Sequence, residues 1–455
     1  MSVPRLVLAS LEPGPALALA AGALQARLSQ ERAVRVVTVG ADLPLWRLLL
    51  RGAAASPRAL DPVLHDAPTA AELVDVWSDG IDLLLVVAVA PALDRWHGVT
   101  GSRAVDVAAV LDAPLVLALD ARERGATVAA GVCGLRALMP HLDLAGAVVV
   151  GALERGEAAE AGALLREQAG IPVLGWVPPQ LSDQFARDHG PAGARQVGPR
   201  PPADAAARLA AEAGRYLDGE QLLAAAARAG FLPPAGRRAF VPAAAARGVT
   251  VAVGVGGPLL PFALEAVDLL RALGATVVPL RLDGDEALPA GTDAVFLSGL
   301  LDEARLPGLS PGLAAALAEA VGRGLPVLAC GAGSLLLAER LSDSRGRVHE
   351  GAGALPWHAA VAGQRPRPTY VTATATAANP FAQGGVAAAA FLEVETVAVA
   401  GEGAAWRLGG EGEAPATDGG EGVVVGRCLA TTLLPSLATR PDVLQAFLAA
   451  ARAGA

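Results

Sequence analysis

Lysine is absent from this chain of 455 residues, and asparagine occurs once, at Asn379. Phosphate chemistry that depends on a lysine ammonium is therefore beyond its own side chains. Cysteine is scarce as well. Cys133, Cys330 and Cys428 lie too far apart for a disulfide framework or a CxxC metal pair. The histidines (His65, His97, His141, His189, His349 and His358) include no pair at the i, i+4 zinc spacing, so no metal site is expected. Long apolar runs are missing too: Leu83 to Leu93 is fenced by Asp82 and Asp94, too short to cross a bilayer. Met1-Ser-Val-Pro-Arg5 shows no charged segment followed by an apolar stretch and cleavage site. A soluble, cytoplasmic protein without a membrane partner is expected. With a net charge of −9, a pI near 5.3 and no run of arginine, nucleic acid is excluded as a partner.

What is present is apolar: 53% of the residues, well above a disordered composition, on a chain long enough for two or three domains. Short β-branched runs alternate with longer amphipathic stretches. Arg5–Ser10, Val34–Val39, Asp82–Val89, Pro114–Leu119, Gly146–Val150 and Pro172–Trp176 read as strands. Helical stretches lie between them at Ala16–Leu28, Ala104–Leu111, Val128–Met139 and Glu157–Gln168, followed by a pair, Asp204–Tyr216 and Glu220–Ala229. This alternation predicts α/β architecture: doubly wound, mostly parallel sheets whose strands are buried on both faces. Residues 1–232 form the first expected domain, residues 233–247, rich in Pro and Gly nearby, a linker, and residues 248–455 the second. In the second, Val249–Val255, Thr276–Leu280, Ala294–Ser298 and Leu325–Cys330 read as strands. Pro261–Leu273, Leu313–Arg323 and Ser334–Leu341 read as helices. Strands around Thr369–Thr374, Phe391–Ala398 and Gly422–Cys428 follow, with a closing helix at Pro441–Arg452 and an exposed loop at Gly401–Gly422. No internal repeat is visible.

Two strand-turn-helix segments sit where chemistry is expected. The first, Arg5 through Leu19, occupies the place of a phosphate-binding loop, where backbone N–H groups and a helix N-terminus cradle phosphates. Only Gly14 remains of the usual glycines, Pro13 and Pro15 remove donors, and Leu17 and Ala18 stand in the Lys and Thr positions. An ordinary strand-turn-helix accounts for it as well. The second, Gly324 through Leu337, sets Cys330 on a small-residue turn, the form of a nucleophile elbow. A thiol there needs a histidine base to act on an amide. A small residue that fits a tight turn is the other explanation.

The order of these pieces resembles the cobyrinate a,c-diamide synthase family, across nearly the whole chain. Arg5–Ala18 matches its phosphate loop, Val37-Thr-Val-Gly-Ala-Asp42 its FKVGPD segment, and Ala88–Arg95, with Asp94, its GVMGLFDG stretch. Residues 113–120, 143–150, 170–178, 325–333 around Cys330, 369–376 with Asn379-Pro380, and 422–426 are close to family text. The resemblance implies a P-loop, dethiobiotin-synthetase-like first domain and a class I-type glutamine-amidotransferase-like second domain. The departures are equally consistent. Leu17 and Ala18 replace the phosphate Lys and Thr, Thr38 a lysine, Val87 a glutamate expected to help hold magnesium, and Val150 an asparagine. The oxyanion turn reads Leu297-Ser-Gly-Leu-Leu-Asp-Glu303, the two amidotransferase histidines are Ala389 and Leu392, and a later HLH is Leu434-Pro-Ser436.

Two readings follow. In one, the chain is a catalytically degenerate relative with a binding, partner-subunit or scaffold role in tetrapyrrole or corrinoid metabolism. Cys330 is then a vestigial nucleophile whose thiol pKa is near the free value, lowered modestly by the helix terminus. No cofactor is expected. Gly14, Asp42 and Asp94 are the candidate ligand-binding residues, and a tetrapyrrole, a second copy or an active paralogue are the candidate partners. In the other reading the chain is an active Mg-ATP- and glutamine-dependent amide synthase. His358, or His349, would serve Cys330 and arginine would replace lysine on ATP.

Overall fold

The computed structural model describes residues 3–40, 43–52, 56–122, 127–151, 155–189, 204–241, 247–262, 264–306, 308–361, 369–384, 387–392, 404–409 and 420–454. The chain divides into two compact units, Met1–Pro62 with Leu73–Ala235, and Val63–Glu72 with Gly236–Ala455.

The first unit opens with β1 (Arg5–Ser10), α1 (Pro15–Leu28), β2 (Val34–Val39), α2 (Leu43–Gly52) and β3 (Arg58–Leu60). Next come α3 (Ala67–Trp77), β4 (Leu83–Ala88), α4 (Ala104–Val110), β5 (Leu115–Asp120) and α5 (Val128–Leu138). β6 (Leu144–Val150), α6 (Arg155–Glu167), β7 (Val173–Val177), α7 (Pro179–His189), α8 (Ala205–Gly214) and α9 (Gly219–Ala226) complete it. The seven strands run in the order β3-β2-β4-β1-β5-β6-β7, and every pairing is parallel. Every residue of β1 and β4 is buried, as a sheet covered on both faces requires. α1 is apolar nearly all round because it lies between the sheet and α2, α7 and α8. Arg5, buried at the start of β1, donates to the carbonyls of Leu111 (2.5 Å), Val3 (3.0 Å) and Gly230 (2.5 Å). Gly230 is there because a Cβ would strike the Asp112 carboxylate.

The second unit begins with β8 (Thr250–Val255), β9 (Leu259–Leu260), α10 (Glu265–Ala272), β10 (Thr276–Arg281), β11 (Ala294–Leu301) and α11 (Pro311–Gly322). β12 (Val327–Gly331), α12 (Ala332–Leu336), β13 (Ala338–Ser342), β14 (Val348–Glu350), β15 (Leu355–Ala360), β16 (Thr369–Ala375) and β17 (Ala387–Leu392) follow. It closes with β18 (Trp406–Gly409), β19 (Gly420–Glu421), β20 (Val423–Val425), β21 (Cys428–Thr431), β22 (Leu433–Pro435) and α13 (Pro441–Arg452). The main sheet runs β10-β8-β11-β12-β21-β20 with β9 beside β11, parallel except at β9 and β20. A three-stranded sheet (β14-β13-β15) and a five-stranded one (β19-β18-β16-β17-β22) accompany it. Both units are thus α/β with a parallel-dominated main sheet, as expected, while the five-stranded sheet of the second is antiparallel throughout.

Several local expectations are corrected. The helix expected over Ser334–Leu341 stops at Leu336, and Ala338–Ser342 is a strand. Its apolar run suits either form, and pairing with β14 and β15 decides it. Gly422–Cys428 is not one strand but part of a hairpin. Gly426, at φ 57°, and Arg427 turn β20 back onto β21, the Gly-X form of a two-residue turn. The expected loop over Gly401–Gly422 contains β18 and β19, and Trp406 is buried. The strand expected at Phe391–Ala398 is β17, ending at Leu392; residues 393–398 lie outside the described residues. Within the stretch read as linker, the N–H groups of Arg238 (3.0 Å), Ala239 (3.1 Å) and Phe240 (2.8 Å) donate to the buried Glu72 carboxylate.

Candidate functional site

In an open parallel sheet, ligands bind outside the carboxyl ends of the strands. At that edge of the first unit, among the described residues, side chains of the chain itself lie over several strand ends. Gly14 has an extended backbone (φ 168°, ψ 172°) and open space around it, so nothing local demands glycine. Leu17, in the position of the phosphate lysine, is 6% exposed and part of the core with Leu6, Leu8 and Leu19. Leu11 leans on α5, 2.8 Å from where a Cβ of Gly131 would stand. The Trp96 indole lies over Gly40, 3.0 Å from an added Cβ, at the end of β2. Arg122 forms a two-pronged ion pair with Asp120 at the end of β5 (2.9 and 2.5 Å) and lies across Gly151 at the end of β6. Val87 and Val150, where acid and amide groups would be needed, are buried. The hydroxyls of Ser10 and Thr38 are buried with no hydrogen-bond partner among the described residues.

Asp94 is exposed in the loop after β4, its N–H bonded to Pro91 O at 3.0 Å. Asp42 lies outside the described residues. The same loop holds His97 at φ 47°, a left-handed conformation unusual for histidine. This edge offers no side-chain cation or hydroxyl at the start of α1 and two prolines in place of donors. These residues do not fit a triphosphate with its magnesium. Among the described residues no cluster of three or more His, Cys, Asp or Glu could hold a metal ion.

In the second unit Cys330 sits one residue before the end of β12, and Gly331 makes the elbow at φ 56°, ψ −131°. That left-handed backbone, with Gly299 O 2.6 Å from a would-be Cβ, admits only glycine. The thiol is 1% exposed. Burial, and secondarily the Glu421 charge, push its pKa well above the ordinary thiol value. This corrects the expected modest lowering. α12 is only five residues long, so its terminus does little against desolvation. Leu434, from the segment where the resemblance calls for histidines, lies 2.8 Å from a Gly331 Cβ and covers the turn. The expected oxyanion turn is ordinary strand: Ser298 and Gly299 pair within β11 against Cys330 and Gly331.

His358 stands half exposed on β15 with its Nε2 3.8 Å from Glu339, and His349 bonds Asp343 at 3.2 Å. The structure gives each of these histidines a carboxylate partner. Ala389 pairs through its backbone with Thr372 on β16. The charged group that bears on Cys330 is Glu421, held by Thr431, the residue in register with the cysteine, and sequence reasoning missed it. It lies in a Gly- and Glu-rich segment that reads as an exposed loop, and no local pattern marks it. As a residue Glu421 is half-buried, but its carboxylate is enclosed. Burial raises its pKa against the hydrogen bonds from Thr431 and Thr432.

These two sites stand on a chain of two compact α/β units. The chain is homologous to the cobyrinate and hydrogenobyrinate a,c-diamide synthases. It is 31% identical over 303 residues to the hydrogenobyrinate a,c-diamide synthase of Mycobacterium tuberculosis (strain ATCC 25618 / H37Rv), covering 62% of this chain. The match spans 63% of that relative's length. It is 29% identical to the enzyme of that name from Streptomyces coelicolor (75% of this chain, 77% of the relative). It is 26% identical to the cobyrinate a,c-diamide synthase of a Synechococcus strain (80% and 79%). No family model matches the chain. Among solved structures, PurLQS from Thermotoga maritima aligns with 44% of this chain and 97% of its own (TM-score 0.33, 15% identity). The MinC:MinD complex from Aquifex aeolicus aligns with 51% and 98% (TM-score 0.31, 14% identity). Among the described residues no helix is long and apolar enough to cross a membrane.

Proposed function

We propose that this chain is a non-catalytic homologue of the a,c-diamide synthases, keeping both α/β units for a binding or assembly role in tetrapyrrole metabolism. It would turn over neither Mg-ATP nor glutamine. The observation that carries this reading is Cys330: an enclosed thiol, its neutral form favoured by burial and by the Glu421 charge, on a turn that Leu434 packs against. Attack on an amide needs the thiolate and a nearby base, and a thiol raised by burial supplies almost none at neutral pH. The buried Leu17 argues the same way for the first unit. The relatives' names speak of cobyrinate and hydrogenobyrinate, which makes a carboxylated tetrapyrrole the ligand class. A second copy or an intact paralogue is the partner class.

Calorimetry with Mg-ATP and an ammonia-release assay on glutamine test it. No saturable ATP binding tighter than about millimolar is expected. No ammonia release is expected from the wild type or from Cys330→Ser. Ammonia release that disappears in Cys330→Ser, or micromolar ATP affinity, would overturn the reading. Purification from the native host should bring down a tetrapyrrole or a protein partner. An isolated apo monomer would count against the binding role.

A further inference from the structure

Near Cys330 the chain crosses twice between two sheets of the second unit. β19 ends the five-stranded sheet at Glu421, and β20 enters the main sheet at Val423, with Gly422 alone between them. The return is as abrupt. β21 leaves the main sheet at Thr431 and β22 joins the five-stranded sheet at Leu433, with Thr432 alone between them. The Glu421 carboxylate ties one crossing to the other. It accepts hydrogen bonds from Thr431 Oγ1, from Thr432 N (2.6 Å) and from Thr432 Oγ1 (2.9 Å). Thr431 is the residue in register with Cys330 across β12 and β21, and Leu434, three residues on, covers the elbow. Both threonines are buried, so the carboxylate has no water to exchange for these donors at their end.

We propose that Glu421 is a latch: its contact with Thr431 and Thr432 holds the five-stranded sheet closed over the Cys330 elbow. The thiol is inaccessible because of this contact, and not because of the elbow's own shape. A nucleophile elbow presents its side chain at the top of a strand, and here that outlet is shut by β22 and the Glu421 crossing. Removing the carboxylate leaves three donors at the junction without their acceptor, and the crossings open locally while the main sheet persists. The latch goes beyond the non-catalytic reading. Glutamine hydrolysis would defeat that reading and leave the latch standing.

The test is thiol labelling under native conditions in a Cys133→Ala background, since Cys133 is the one cysteine with partial exposure. Peptide mass spectrometry follows Cys330 and Cys428 separately. Cys428 is equally buried, in register with Val327 between β12 and β21 and away from the Glu421 crossing, and reports opening of the main sheet. Glu421→Gln and Glu421→Ala are expected to raise the Cys330 rate by about tenfold or more, with Cys428 unchanged; that ratio corresponds to local opening. Thr432→Val, which removes one donor and spares the backbone, gives a smaller rise in the same direction and serves if Glu421→Ala fails to fold. The proposal is overturned if the Cys330 rate does not move in these variants, or if Cys330 and Cys428 rise together.

Discussion

Returning lysine and threonine to the first turn, as Leu17→Lys with Ala18→Thr, tests whether that turn is a dormant phosphate loop or part of the core. Leu17 is 6% exposed and packs in the main core of the first unit. Exchanging a fully buried leucine for a solvated side chain forfeits about 1.5–3 kcal/mol of burial. A lysine here reaches water past the exposed Glu12–Gly14 turn, so its ammonium escapes the full cost of a buried charge. Ala18→Thr adds about 0.5 kcal/mol through lower helix propensity. The pair is expected to cost about 2–4 kcal/mol together, read as a lower urea midpoint with unchanged slope. No ATP binding should appear by calorimetry, because Val87, Val150 and the two prolines remain and Trp96 and Arg122 still cover the strand ends. A variant that keeps wild-type stability and binds Mg-ATP at micromolar concentration refutes the reasoning. Leu17 would then be a reversible plug over a preserved site.

Two further outcomes follow from buried groups. Burial holds the His65 imidazole down at about 4 from an ordinary 6.5, so the unfolded chain takes up its proton first as pH falls. Stability is full above pH 6.5 and drops between 6.5 and about 4, by about 3 kcal/mol in all. Urea midpoints across that range check it, and a His65→Leu variant with the same slope on pH would contradict the assignment. Glu72→Ala strips the acceptor from the N–H groups of Arg238, Ala239 and Phe240. With about 1–3 kcal/mol for each of the two buried amides, Ala239 and Phe240, a loss of about 2–6 kcal/mol is expected. Amide exchange at these residues should quicken, and unchanged exchange would show that the carboxylate anchors nothing.

The strands of the first sheet were legible because a continuous β-branched run bounded by polar residues has no other good use. Arg5–Ser10 and Val34–Val39 fall where the pattern puts them, and the closing helix Pro441–Arg452 does too, with proline at its first turn. The misreadings cluster where tertiary pairing overrides local preference. Ser334 through Leu341 carries a helix-compatible apolar run, yet from Ala338 it pairs as β13 between β14 and β15, with Ala338 and Leu341 buried in the core. α2, β3 and α3, between Val39 and Leu83, escaped notice: β3 is three residues long, and α3 begins behind an Asp66 cap followed by Pro68. At the sites, the departures from the family's pattern could be read from the sequence, but the contacts made by the residues that stand there could not. Trp96 over Gly40, Arg122 over Gly151 and Glu421 on Thr431 and Thr432 are tertiary contacts, and no spacing in the chain encodes them.

Cysteine and glycine at the second elbow invite the inference that their chemistry is kept, yet packing accounts for them alone. Gly331 is fixed by its left-handed backbone and by Gly299 O and Leu434 on the side where a Cβ would project. Gly333 is fixed by Leu297, whose carbonyl oxygen a Cβ would strike. Cys330 itself is a small apolar residue in a fully buried strand, and free cysteine is among the residues most at home there. A chain that had shed its base would retain both glycines of this turn, because a Cβ at either disturbs the approach of β11 to β12. Cys330→Ala therefore tells the two accounts apart by stability alone. Removing one sulfur from a packed site leaves a small cavity and costs about 1–2 kcal/mol, with the fold intact. A cysteine held in place by selection for reactivity sits under strain, and its removal would stabilise the unit.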